Sequence, residues 1–211
     1  MSMEVKDQSP KDRRVAQGDA TRTALLTAAR KLFGSQGYAA TSLDAVVAGA
    51  GVTKGALYHH FGGKEALFTA VFEQIQQEVS DTAVAAFNRP DSWDALLEGC
   101  GLWVDAHLDP EVQRIVLREA RAVLGWEDVR TIENRFGTVA LRGALRKAMH
   151  AGAVERQPLR PLSLMLLGSL GEACQYIADA DADDPAAARA EVAELIPRLL
   201  AGFRASPESP A

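Results

Sequence analysis

The sequence predicts an all-α chain of about nine helices: an N-terminal three-helix unit holding a helix-turn-helix, then a larger C-terminal helical domain. Three observations carry this. Apolar residues recur at helical spacing through most of the 211 residues, as in Leu67, Val71, Ile75 and Val79. Glycines and prolines punctuate the periodic runs where helices should end. The stretch from Thr41 to Lys64 packs two short helices and a tight turn into a length with little room for anything else.

In chain order, residues 1–18 are polar and without period and read as a tail. The first helix covers 19–35, with Leu25, Leu26, Ala29, Leu32 and Phe33 as its buried stripe and Arg22, Arg30 and Lys31 off it. Gly37 ends that segment, and the Tyr38 ring is expected to pack beneath the helix-turn-helix. Ser42 is placed to cap a helix whose apolar face is Leu43, Val46, Val47 and Ala50. Gly51 supplies the positive φ of a sharp turn, and Val52 the apolar plug between two crossing helices. Thr53 caps the next helix, with Leu57 and Phe61 inward. Lys54, Gly55, Tyr58, His59 and His60 are left outside, a set with donors for phosphate oxygens and no acid. Gly55 and Ala56 keep the first turn slim, so its unpaired N–H groups can approach a groove or a phosphate. A plain helical hairpin with an exposed polar side is the alternative at this point.

A long helix spans 64–87 and couples the two parts. Pro90 breaks it, and Asp91 or Ser92 caps the next element. Helices come next at 93–108, where Gly99 and Gly101 permit either close packing or a cavity, then at 111–124 and 126–151. Pro158 and Pro161 mark a loop. The last two helices run from Leu162 to Ala180 and from Pro185 to Ala205, joined by an acidic turn at 181–184. Val192, Leu195, Ile196, Leu199, Leu200 and Phe203 form one apolar stripe on the second, with a kink expected at Pro197. The first is apolar around most of its circumference and must be covered on more than one side. The domain limits are therefore 1–18 tail, 19–78 helix-turn-helix domain, 79–205 helical domain and 206–211 tail.

Net charge is −5, unevenly spread: residues 1–64 carry nine Lys or Arg against five Asp or Glu, and the remainder fourteen against twenty-three. A basic head that meets phosphates and an acidic body that DNA repels would orient an approach. No run is apolar and long enough to span a bilayer, and residues 1–18 lack a signal-peptide core, so a cytoplasmic protein with no membrane contact is expected. Cys100 and Cys174 read as packed free thiols. There is no phosphate-binding glycine loop, nucleophile elbow or zinc-type spacing, so no catalytic residue, metal or cofactor is expected, and function must be binding.

Three segments together, AARKLFGSQGYAATSL at 28–43, AGVTKGALYHHF at 50–61 and GGKEALFTAVF at 62–72, closely resemble the DNA-binding domain of the TetR/AcrR family of bacterial transcriptional regulators. The resemblance implies roles position by position. Thr41 matches a phosphate-contacting threonine, and Thr53, Lys54 and Gly55 match positions facing base edges. Tyr58 and His60 match a phosphate-contacting pair, His59 should lie along the backbone as well, and Lys64 matches a lysine that opens the next helix and grips a phosphate. Val47 departs from the small residue common at the helix crossing, and Gly63 from a capping residue. The resemblance further implies a homodimer through the last two helices, a palindromic double-stranded DNA operator, and a repressor released by a small-molecule effector. Trp103, His107, Trp126, Phe136, Gln175 and Tyr176 are the pocket residues expected, aromatic walls with a few polar groups. With few charges among them, the effector should be apolar or amphipathic. A ligand carrier with a vestigial DNA-binding head is the second reading. A third, an enzyme fused to such a head, lacks a catalytic constellation.

Overall fold

The computed structural model describes residues 10–180 and 184–205. Among them are nine helices and no strand; one isolated bridge pairs Val154 with Arg204. The helices are α1 (Pro10–Ala40), α2 (Leu43–Ala50), α3 (Lys54–Phe61), α4 (Lys64–Phe87) and α5 (Ser92–Ala106). They continue with α6 (110–124), α7 (126–150), α8 (Leu159–Asp179) and α9 (Pro185–Ala201). Two contain π-helical segments, Gln113–Glu119 in α6 and Asn134–Thr138 in α7. The chain divides into two compact units, one ending at Val71 and one beginning at Phe72. That division, like the 78/79 limit read from the sequence, falls inside α4, where a continuous helix offers no loop to mark it.

In the first unit Leu25, Ala29, Phe33, Val46, Leu57, Leu67 and Phe68 are sealed from solvent. Tyr38 packs between α1 and α4, its ring 5.8 Å from Phe33 and 5.2 Å from Phe68, with Phe33 and Phe68 edge to face at 5.1 Å. Such aromatic pairs add to the area they bury. Gly37, at φ 87° and ψ 167°, interrupts the helical backbone of α1 as the sequence requires. The start of α1 differs: helix extends back to Pro10, through half of what reads as a tail. Proline is tolerated in a first turn, and a helix polar on every side shows no apolar period to detect. The expected tails at 1–9 and 206–211, and most of the acidic turn at 181–184, lie outside the described residues.

The core of the second unit joins Phe87, Leu96, Cys100, Val104, Leu145, Leu166, Leu170, Cys174, Val192 and Ile196. Asp91 Oδ1 caps α5 by accepting from the N–H groups of Trp93 (2.9 Å) and Asp94 (3.0 Å). Lys147 Nζ donates to the carbonyls of Phe87 (3.0 Å) and Arg89 (2.6 Å), tying down the C-terminal end of α4, where a cation suits the helix dipole. Gly99 is a close-packing glycine: a methyl there would lie 2.8 Å from Phe87 Cζ and nearer still to two other ring atoms. Gly101 has nothing within 4 Å of the same position.

α8 begins at Leu159, so Pro161 lies in its first turn rather than in a loop, where its missing N–H leaves no helical bond unmade. α9 stops at Ala201 instead of 205 because the chain beyond it pairs elsewhere: Glu155 N–H donates to Phe203 O at 2.9 Å and Ala205 N–H to Ala153 O at 3.2 Å. Pro197 sits inside α9. The apolar stripe of α9 splits in two: Val192, Ile196 and Leu200 are buried, while Leu195 and Leu199 are 56% and 44% exposed.

Candidate functional site

Local chemistry builds the helix-turn-helix. Ser42 Oγ accepts from Ala45 N–H at 3.1 Å to start α2, and Thr53 Oγ1 accepts from Ala56 N–H at 3.2 Å to start α3. Gly51 ends α2 in the left-handed region at φ 65°, and Gly62 ends α3 at φ 75°. Val52 N–H returns to Val47 O at 3.2 Å, closing the turn. Val46, Leu57 and Phe61 hold the two helices on the core, and only Val46 of the expected α2 face is fully buried.

The outer face of α3 carries Thr53, Lys54, Gly55, Tyr58 and His59, all exposed, with His60 half-buried at its edge. A methyl at Gly55 would meet only Thr53 Oγ1, at 4.0 Å. Packing therefore does not demand glycine there, and what its bareness provides is access to the front of the helix. Lys54 Nζ lies 2.7 Å from Asp44, whose hydrogen bond and then whose charge raise the lysine pKa. Both partners are exposed, so a phosphate can compete for this lysine.

Thr41 and Lys64 are each held by partners within the protein. Thr41 is 1% exposed; its hydroxyl donates to Gly37 O at 2.8 Å and accepts from Gln36 Nε2 at 3.3 Å. The backbone break at Gly37 leaves a carbonyl to be satisfied, and Thr41 satisfies it, so the proton of this hydroxyl is committed within the protein. The neighbouring Ser42 is exposed instead. Lys64 is half-buried, its Nζ 3.4 Å from Ala39 O and 4.4 Å from the Tyr38 ring centre, a held position at the first turn of α4.

The second unit holds a cavity of about 250 Å³ that is partly open to solvent. Trp103, His107, Trp126 and Gln175 line it, as the sequence suggests. Phe136 and Tyr176 do not: the Phe136 ring lies under Arg135, and Tyr176 is 53% exposed with its hydroxyl donating to Glu191 at 2.6 Å. Nor is the wall as free of charge as the expected residues imply. Arg121 and Arg130 contribute to it, as do Glu133 and Glu172. Burial raises the Glu133 pKa, and Arg121 opposes this. Arg121 also lies 4.9 Å from the Trp126 ring centre.

Gln76 and His107 form the inner wall and are 3% and 2% exposed. His107 Nδ1 is 2.8 Å from Trp103 O and must donate to that carbonyl. Burial lowers the His107 pKa, the backbone bond opposing, so the ring is neutral and Nε2 is an acceptor. No side-chain nitrogen or oxygen among the described residues is sealed away without a partner. The Gln76 amide and His107 Nε2, for which no protein partner is seen among the described residues, are therefore not sealed, and the cavity that both residues line is where they are open. Both π-helical segments supply wall, Val116 and Leu117 from one and Asn134 and Gly137 from the other, a recurring property of such bulges. A signal for the missed residues existed: Trp126, Arg130, Glu133 and Gly137 fall on one helical face, as do Gly168, Gly171, Glu172 and Gln175.

Comparison with known proteins agrees with both units. Residues 25–71 match the family described as bacterial regulatory proteins, tetR family, and residues 93–203 match the tetracyclin repressor-like C-terminal domain. A crystal structure of a TetR-family transcriptional regulator from Pectobacterium atrosepticum is 37% identical, with a TM-score of 0.77, over 92% of this chain and 98% of that one. The Transposon Tn10 TetC protein of Escherichia coli is 27% identical over 148 residues, 70% of this chain and 75% of its own. The HTH-type transcriptional regulator UidR of Escherichia coli is 37% identical over 79 residues, 37% of this chain and 38% of its own.

Proposed function

We propose that this chain, which belongs to the TetR family of bacterial regulatory proteins and is a DNA-binding transcriptional regulator and not an enzyme, acts as a dimeric repressor released by a small molecule. The outer face of α3, capped by Thr53, carrying no acid of its own and exposed at Thr53, Lys54, Gly55, Tyr58 and His59, is the observation that carries this reading. Thr53, Lys54 and Gly55 meet base edges in the major groove, Tyr58, His59 and His60 meet the backbone, and Lys64 adds a phosphate contact at the N-terminus of α4. Ser42 takes the place of buried Thr41. Two such heads reach successive major grooves of a palindrome when they stand about 34 Å apart.

The dimer forms through α8 and α9. Met165 and Tyr176 on α8 and Leu195 and Leu199 on α9 are 68%, 53%, 56% and 44% exposed, an apolar set that a second copy would cover. Effector binds the cavity and acts on α4, one continuous helix with Lys64 in its first turn and Gln76 in the cavity wall. Loosening the operator tenfold to a hundredfold requires a coupling of roughly 1.4–2.7 kcal/mol, ordinary for such switches.

The test is a titration against DNA upstream of the protein's own gene, with selection of bound sequences from random DNA alongside it, at several salt concentrations. Wild type should bind a palindrome with an affinity that falls steeply with salt, and Lys54→Ala/Tyr58→Ala should lose it at unchanged melting temperature. A protein that selects no sequence from either source refutes the repressor reading and leaves a ligand carrier.

A further inference from the structure

We propose that the cavity selects an uncharged single-ring compound bearing a hydroxyl, with the hydroxyl donating to His107 Nε2 and the ring against Trp103. This rests on the reading of the cavity as the effector site. The inner wall states the polarity. Nδ1 of His107 is committed to Trp103 O at 2.8 Å, so the nitrogen left for a ligand presents a lone pair and asks for a donor. Burial keeps the ring from charging, so a carboxylate at this position would face a lone pair and not a donor. The Gln76 amide, 3% exposed, can give a hydrogen bond to the same hydroxyl or take one from a second.

Size and walls state the rest. A dry cavity of about 150 Å³ accommodates benzene, so one of about 250 Å³ accommodates a ring with a few further atoms. Leu117, Leu164 and Leu167 join the indole of Trp103 in an apolar surround. Added methyls at Gly168 and Gly171 would meet nothing within 4 Å, so the backbone of α8 leaves this space open. The charged wall residues are two of each sign, Arg121 and Arg130 with Glu133 and Glu172, and favour no net charge on the guest.

Phenol, toluene and benzoate probe these statements separately. Their binding to the full-length protein without DNA is followed by calorimetry and by melting temperature, in wild type, His107→Leu, Gln76→Leu and Gly171→Leu. One hydrogen bond to a buried acceptor makes phenol about tenfold tighter than toluene. His107→Leu brings phenol to the level of toluene and leaves toluene unchanged, Gln76→Leu weakens phenol alone, and Gly171→Leu, which fills the space, abolishes both. Benzoate binding as tightly as phenol overturns the proposal. Phenol binding that survives both polar substitutions, or no binding of phenol into the millimolar range, overturns it equally. Failure of the repressor reading shows in the DNA titration and leaves these measurements unaffected.

Discussion

Gly99 and Gly101 lie two residues apart in α5, and the same substitution should change stability in opposite directions. Alanine is worth about 1 kcal/mol over glycine in a helix interior. At Gly101 the added methyl meets nothing within 4 Å, so Gly101→Ala should stabilise by roughly 0.5–1 kcal/mol. At Gly99 it would meet three atoms of the Phe87 ring, Cζ at 2.8 Å and two closer, where carbon contacts normally fall at about 3.5–4.0 Å. The ring would have to retreat by about an ångström, yet Phe87 is 7% exposed within the core formed by Leu96, Cys100 and Leu145. Overpacking of that kind costs about 1–3 kcal/mol, which offsets or exceeds the gain in propensity. Gly99→Ala should therefore lower the denaturation midpoint while Gly101→Ala raises it, read by urea titration with helical circular dichroism. Adding Phe87→Leu should relieve the clash, so the double variant should be more stable than the two separate effects sum to. Equal stabilisation by both single variants would refute the packing argument.

Other substitutions test the remaining parts. Gly55→Ala should raise the melting temperature, as its methyl has room, and weaken operator binding by obstructing the groove-facing turn; unchanged affinity would remove Gly55 from the interface. Ser42→Ala should destabilise the first unit by about 1 kcal/mol through loss of the 3.1 Å cap, and Ser42→Asp should restore it in a thermal melt. Leu195→Glu with Leu199→Glu should convert a dimer to monomers in sedimentation, since both side chains are exposed and their loss leaves the core intact. Cys100 and Cys174, whose thiols burial pushes up to about 12, should resist thiol reagents at pH 8 until the chain is denatured. Raised thiol values mean the folded state holds protons that the unfolded state releases above pH 9.0, so stability should fall as pH rises from there towards 12.

The head of the molecule is largely legible in the sequence because its determinants are local. Ser42 and Thr53 act on amides three residues away, Gly51 ends a helix by its own φ, and Leu57 and Phe61 mark an inner face by spacing. The internal bond of Thr41 is not legible for the opposite reason: its partner is a carbonyl freed by the break at Gly37, and hydroxyl orientation does not show in a motif. The cavity is half legible. Trp103, His107, Trp126 and Gln175 are there, but aromatic content alone does not separate a wall residue from Phe136, which lies beneath Arg135, or from Tyr176, which faces outward to Glu191.

By itself the sequence determined the two helices of the helix-turn-helix, their caps and the turn between them, and the polarity of the α3 face, since each depends on residues within one or two turns of each other. Tertiary structure alone decided which of two neighbouring glycines is needed, which half of the α9 stripe is buried, and that Gln76 of α4 and His107, just past the end of α5, share one cavity wall with arginines of α6 and α7. Those outcomes depend on which helices pack together. Helical periodicity states that a side chain has a face, and only the neighbouring helix determines what that face meets.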